Sequence, residues 1–162
     1  MAVFISHTTA DDRLAKEISQ LLENENIECY IDDLDYELKR LRGNATLTPY
    51  LVARLEDCDT LLAIVTENTK NSWWVPFEIG TAREMPRIIT SVTNYSEFDL
   101  PEYLLEWPRL RHKSDIEVFI RNYKNKRSGI YSRDLSESVN NVRSFEKTIM
   151  DQLNQRQVKY YV

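Results

Sequence analysis

Short apolar runs alternate with amphipathic segments over the first part of the chain, as far as about residue 90. Four runs are too short for helices and are typical of strands buried on both faces of a parallel sheet. In chain order they are Val3–Ile5, Ile27–Ile31, Leu61–Val65 and Ile88–Ile89. We expect a fifth, shorter strand near Trp107 to Leu110.

The segments between these runs carry apolar residues every three or four positions, which predicts helices. Asp11 or Asp12 can cap the first helix, and Ser72 can cap the helix that follows the third strand. Pro86 should end that helix, because the residue before a proline disfavours helical backbone. Two further helices are predicted near the C-terminus, at Ile116–Lys124 and at about Ser136–Gln157.

Regular alternation of strands and helices implies right-handed crossovers and a parallel sheet covered by helices. We therefore predict an α/β, flavodoxin-like fold with five parallel strands in the order 2-1-3-4-5 and an extra C-terminal helix. The 162 residues suit one domain, with a core of about residues 1–128 and a helical extension over about 129–162.

In such sheets, ligands bind beyond the carboxyl ends of the strands, at the switch point between strands 1 and 3. Ser6 and His7 follow the first strand, and Asp32 and Asp33 follow the second. The segment Thr66–Glu78 follows the third strand and opens the next helix. These groups are expected to line one crevice.

Composition narrows the class of protein. The net charge of −5 argues against a nucleic-acid or anionic-membrane partner, and no apolar run approaches the length of a membrane span. The N-terminus lacks the pattern of a signal peptide, and Cys29 and Cys58 are expected to be reduced thiols of a cytoplasmic protein. His7 and His112 are too isolated to suggest a metal site, and we assign His7 no catalytic role.

Several familiar classes of α/β protein do not fit the crevice. The turn Ser6–Ala10 holds no glycine, unlike the turn that carries pyrophosphate in redox dinucleotide folds. The chain has no P-loop motif and no GxSxG nucleophile elbow. Thr66 stands where a phospho-receiver domain needs an aspartate after the third strand.

The segment Asn71–Gly80 carries the most informative pattern. Trp74 and Glu78 are four residues apart and share one face of a helix that begins beside the switch point. One of Trp73 and Trp74 must face elsewhere, and we expect Trp74 to face the crevice.

Together these segments resemble the TIR domain family, over about residues 1–92. Val3–His7 is similar to the family's first box, and Asp32–Leu47 occupies the place of its loop after the second strand. Ser72-x-Trp74-x-x-x-Glu78 is similar to the motif of NAD-consuming TIR domains. A clear Phe-Trp third box is missing, since Leu105–Pro108 is a poor substitute.

The resemblance implies an enzyme that breaks the nicotinamide–ribose bond of NAD, with NAD as substrate and no further cofactor. Glu78 would be the catalytic carboxylate, stabilising the positive charge that grows on the ribose. Substrate contacts are expected from six residues: Phe4, Ser6, Asp32, Asp33, Ser72 and Trp74. The product could be ADP-ribose, a cyclic ADP-ribose or a conjugate.

The resemblance also implies self-association through TIR–TIR contacts. It further implies a signal passed to a separate effector protein in bacterial antiphage defence of the Thoeris kind. Two alternatives stay open at this point. One is a non-catalytic TIR–TIR interaction module, and the other is an enzyme like the nucleoside deoxyribosyltransferases, whose glutamate attacks the sugar covalently.

Overall fold

The computed structural model describes residues 2–31, 47–94, 99–126 and 134–159. The strands are β1 (Ala2–Ser6), β2 (Glu28–Ile31), β3 (Thr60–Val65), β4 (Ile88–Thr93) and β5 (Arg109–Leu110). The α-helices of the described residues are α1 (Asp12–Glu23), α2 (Leu47–Asp57), α3 (Trp74–Glu84), α4 (Lys113–Lys126) and α5 (Leu135–Lys159). Short 3-10 helices lie at Thr9–Asp11, Glu67–Asn71 and Glu102–Glu106.

The sheet has the predicted topology. Its strands are ordered β2-β1-β3-β4-β5, and every neighbouring pair is parallel. Ile5 of β1 is level with Ile31 on one side and with Leu62 on the other. The α/β, flavodoxin-like prediction is therefore confirmed, and β1 and β3 are direct neighbours at the switch point.

Two apolar clusters form the core, one on each face of the sheet, because strand side chains alternate between faces. The first contains Val3 and Ile5 of β1 and is covered by α1, α4 and α5. The second contains Phe4 of β1 and is covered by α2 and α3. Side chains of α3 can therefore meet only the Phe4 face of the sheet.

The C-terminal helix α5 is packed into the first cluster. Val142, Phe145, Ile149 and Leu153 recur at helical spacing and are all buried there. Burial of four large side chains against the sheet makes α5 part of the core of the folded chain. None of the helices in the described residues combines the length and low polarity needed to cross a bilayer.

Helix starts agree with the prediction at α3 and differ at α1. The Ser72 hydroxyl accepts hydrogen bonds from the amides of Trp74 (3.3 Å) and Val75 (3.2 Å). The helix α3 ends at Glu84, just before Pro86, as predicted. Asp11 holds the predicted N-cap position of α1, but its side chain makes no capping hydrogen bond, so that part of the prediction is wrong. Its carboxylate is instead bonded to residues beyond β3, which outcompete the amides of α1.

Candidate functional site

Glu78 occupies a core position of α3. The buried residues of this helix are Val75, Glu78, Ile79 and Ala82, which form one stripe at helical spacing. A carboxylate therefore stands where the pattern predicts an apolar side chain, and its exposed fraction is 0%. Burial of a carboxylate costs free energy, so such a group is seldom retained for packing alone.

Aromatic side chains lie on the same side of the sheet as Glu78. Phe4 is fully buried in the cluster that α3 covers, and Trp74 is half-buried against it. The rings of Trp74 and Phe77 are 5.9 Å apart in an edge-on arrangement. Trp73 is 90% exposed, so Trp74 is the tryptophan of this pair that packs toward the core.

The two predicted serines have different surroundings. Ser6 ends β1, is buried, and lies level with Ala63 on β3. Because it follows Phe4 by two positions, it points to the same face of the sheet. The Ser72 hydroxyl oxygen accepts the first amides of α3, so this residue sets where the helix begins.

The structure thus brings Phe4, Trp74 and α3 with Glu78 to one face of the sheet. Ser6 ends β1 on that face, and Ser72 begins α3 beside it. Asp32 and Asp33 lie outside the described residues, as does most of the loop that starts with them. The predicted substrate contacts of all six residues stay predictions.

His7 lies beside α1. It is buried, and its Nε2 atom is 3.6 Å from Oδ1 of Asp12. The Lys16 ammonium, 2.6 Å from Asp12, lowers the pKa of that carboxyl. Within the described part of the chain, no three His, Cys, Asp or Glu side chains are placed together to hold a metal ion.

An aromatic group that the sequence pattern did not predict lies beside Phe4. The ring of Tyr30 on β2 is 5.4 Å from that of Phe4, and its hydroxyl is 3.0 Å from the hydroxyl of Tyr50 on α2. The Arg54 guanidinium is 5.3 Å from both tyrosine rings. The alternation of side chains along β2 could have predicted that Tyr30 lies on the Phe4 face. Its contacts with Tyr50 and Arg54 on α2 could not be predicted, because these residues are distant in sequence.

A small cavity of about 130 Å³ borders the start of α3. Its lining includes Ser72, Val75, Leu100 and Tyr103. Small-molecule sites usually measure roughly 300–1,000 Å³, so this cavity could take only part of a dinucleotide. The segment that supplies Leu100 and Tyr103 has no periodic pattern, so its sequence predicts no role for it at the site.

Comparison with known proteins agrees with this architecture. The family described as "TIR domain" matches residues 3–125. A putative cyclic ADP-D-ribose synthase, TIR2, from Cytobacillus dafuensis is 27% identical over 117 residues, which is 65% of this chain and 31% of that protein. A probable 3' cyclic ADP-D-ribose synthase, ThsB', from Bacillus cereus (strain MSX-D12) is 28% identical over 79 residues, or 48% of this chain and 41% of that protein.

The matched segment covers 31% of the length of the first relative and 41% of the length of the second. The family match covers most of the chain, including every strand of the sheet and the helix that carries Glu78, and ends before α5. The chain belongs to the TIR domain family.

Proposed function

We propose that this chain cleaves the nicotinamide–ribose bond of NAD and forms a cyclic ADP-ribose. The observation that carries the proposal is the carboxylate of Glu78 in the buried stripe of α3, on the same face as Phe4 and Trp74. The two relatives named as cyclic ADP-D-ribose synthases support a product of this class.

The chemistry needs one negative group and no general acid for departure of the base. The bond between ribose C1′ and the pyridinium nitrogen breaks, and its electron pair goes to that nitrogen, so nicotinamide leaves as a neutral ring. Positive charge develops on C1′ and the ring oxygen of the ribose. An ionised Glu78 next to this sugar stabilises that charge and orients the ribose hydroxyls.

Capture of the sugar cation decides the product. Water gives ADP-ribose, whereas a hydroxyl or a ring nitrogen of the same molecule gives a cyclic isomer, and either capture releases one proton. Phe4 and Trp74 provide apolar walls, which exclude water and favour capture by a group within the substrate. A buried Glu78 also means that its neighbours must move before NAD can reach it.

We extend the proposal to the biological role by the resemblance to Thoeris-type TIR proteins. The cyclic nucleotide would act as a signal to a separate effector protein in antiphage defence. Self-association through TIR–TIR contacts would favour the open, competent site.

Incubation of the purified chain with NAD tests the proposal, at several protein concentrations so that self-association is sampled. We expect release of nicotinamide together with a product lighter than ADP-ribose by one water, identified by mass spectrometry. Release of a free base from deoxynucleosides, but not from NAD, would instead indicate a deoxyribosyltransferase. A folded chain that turns over neither substrate would be an interaction module.

A further inference from the structure

Asp11 joins two loops that are distant in sequence. It is 6% exposed, and its Oδ2 atom accepts hydrogen bonds from the hydroxyls of Thr8 (3.0 Å) and Thr66 (2.7 Å). Its Oδ1 atom accepts a hydrogen bond from Nδ2 of Asn68 (2.7 Å). Charged acceptors make the stronger hydrogen bonds of proteins, so the loop after β1 is held firmly to the segment after β3.

The segment held by Asp11 leads directly into α3. Thr66 begins the 3-10 helix Glu67–Asn71, its hydroxyl accepting the amide of Asn68 at 3.1 Å. Thr69 closes the same turn by accepting the amide of Thr66 and donating to the carbonyl of Ile64. The next residue after the turn is Ser72, whose amide donates to the carbonyl of Thr69 (2.9 Å) and whose hydroxyl accepts hydrogen bonds from the first amides of α3.

A continuous set of hydrogen bonds therefore runs from Asp11 to the first turn of the helix that carries Glu78. Since β1 and β3 are neighbours, this set crosses the switch point of the sheet. Errors of about 1 Å in the placement of reacting groups can lower rates about 100-fold. A tether at this point controls where Glu78 stands relative to a ligand bound against β1.

We propose that Asp11 is a positioning residue of the Glu78 site, acting through Thr66 and Asn68 on the start of α3. This inference rests on the proposed function. Asp11 does not take part in the chemistry. It holds the β3–α3 segment in register with β1.

An exchange of donor and acceptor tests the tether. Asn68→Asp puts a second carboxylate in contact with Asp11, and like charges at this distance repel. Adding Asp11→Asn in the same chain restores one amide and one carboxylate with their roles exchanged. The amide oxygen at position 11 then still accepts from Thr8 and Thr66. Asn71→Asp is the matched control, because it adds the same charge to the same exposed turn.

For Asn68→Asp, we expect kcat for nicotinamide release to fall about tenfold or more, with a smaller change in KM. The double variant should recover at least half of the wild-type kcat, and Asn71→Asp should stay within about twofold of wild type. Circular dichroism should show every variant folded at the assay temperature. If Asn68→Asp is unfolded at the assay temperature, Asn68→Ala takes its place, because it removes the amide donor to Asp11 without adding a charge. Wild-type kcat in the disrupted variant, or no recovery in the double variant, would overturn the inference.

Hydrogen exchange separates failure of this inference from failure of the proposed function. If the wild-type chain releases no nicotinamide, the proposed function falls, and the tether is judged by exchange alone. The amides of Trp74 and Val75 should exchange faster in Asn68→Asp and return to wild-type rates in the double variant. Unchanged exchange in Asn68→Asp would show that Asp11 does not hold the start of α3.

Discussion

Glu146 on α5 makes the stability of the domain depend on pH. Glu146 is 7% exposed, and its Oε1 atom accepts a hydrogen bond from the amide of Ile89 at 2.8 Å. Ile89 lies on β4 before the two residues that pair with the short strand β5. Burial raises the pKa of Glu146 from 4.5 to about 7. The amide of Ile89 and the charge of Arg143 act in the opposite direction, and Glu106 adds to the rise.

The sign of the effect follows from proton binding. Between about pH 4.5 and pH 7, the native state holds a proton on Glu146 that the unfolded chain has released. Stability from this group is therefore complete below the unfolded pKa and is lost as the pH rises through the native value. A pKa difference of this size corresponds to about 3 kcal/mol of folding free energy between acid conditions and pH 8.

Glu146→Gln isolates this contribution, because glutamine keeps a carbonyl acceptor for Ile89 and has no charge to bury. Urea unfolding at about pH 5 and about pH 8 gives the free energy of unfolding of each protein. We expect the variant to be about 2–3 kcal/mol more stable than wild type at the higher pH and nearly equal at the lower pH. Asp151→Asn, which removes one exposed charge from the same helix, should show the wild-type pH dependence. A Glu146→Gln protein destabilised at both pH values, or one that keeps the full pH dependence, would show that burial of this carboxylate does not set the pH dependence of stability.

Further predictions concern two tryptophans of contrasting exposure and the two cysteine thiols. Trp74→Ala should lower the free energy of unfolding by about 1–3 kcal/mol and slow nicotinamide release, because it opens a cavity beside Phe77. Trp73→Ala removes a side chain that is 90% exposed, so urea unfolding should show a change within about 0.5 kcal/mol, and an equal loss in both variants would contradict this. Burial raises the pKa of Cys29 to about 12 and that of Cys58 to about 11, so Ellman's reagent should label both slowly until the protein is denatured. Rapid labelling of the native protein would show that these thiols are not shielded.

The fold could be predicted from local pattern because each strand is marked by a short apolar run within a few residues. Leu61–Val65 is apolar throughout and is buried throughout, as a central parallel strand should be. The cap at Ser72 was predictable for the same reason, since donor and acceptor lie within three residues of each other. Even the short last strand was placed correctly, from Trp107 to Leu110, although only Arg109 and Leu110 pair with β4.

Contacts between distant residues were not predictable in this way. Aspartate is a residue type that often caps helices, and the sequence around Asp11 does not indicate that Thr66 and Asn68 donate hydrogen bonds to its carboxylate. Glu146 follows Val142 by four positions and so falls on the buried face of α5, but its partner Ile89 is 57 positions away and no local pattern indicates it. Glu78 is the intermediate case. The spacing of Val75, Ile79 and Ala82 places it in a buried stripe, but only the packed helix shows that it is fully enclosed.

In the mechanism proposed for this chain, the buried carboxylate of Glu78 drives loss of nicotinamide from NAD. Nicotinamide release by wild type, Glu78→Gln and Glu84→Gln decides whether it does so, since Glu84 is an exposed carboxylate on the same helix. We expect Glu78→Gln to lose at least about 100-fold in kcat while its circular dichroism spectrum is unchanged, because charge is removed at nearly constant shape. Glu84→Gln should keep wild-type turnover. A folded Glu78→Gln protein that releases nicotinamide at the wild-type rate would contradict the account.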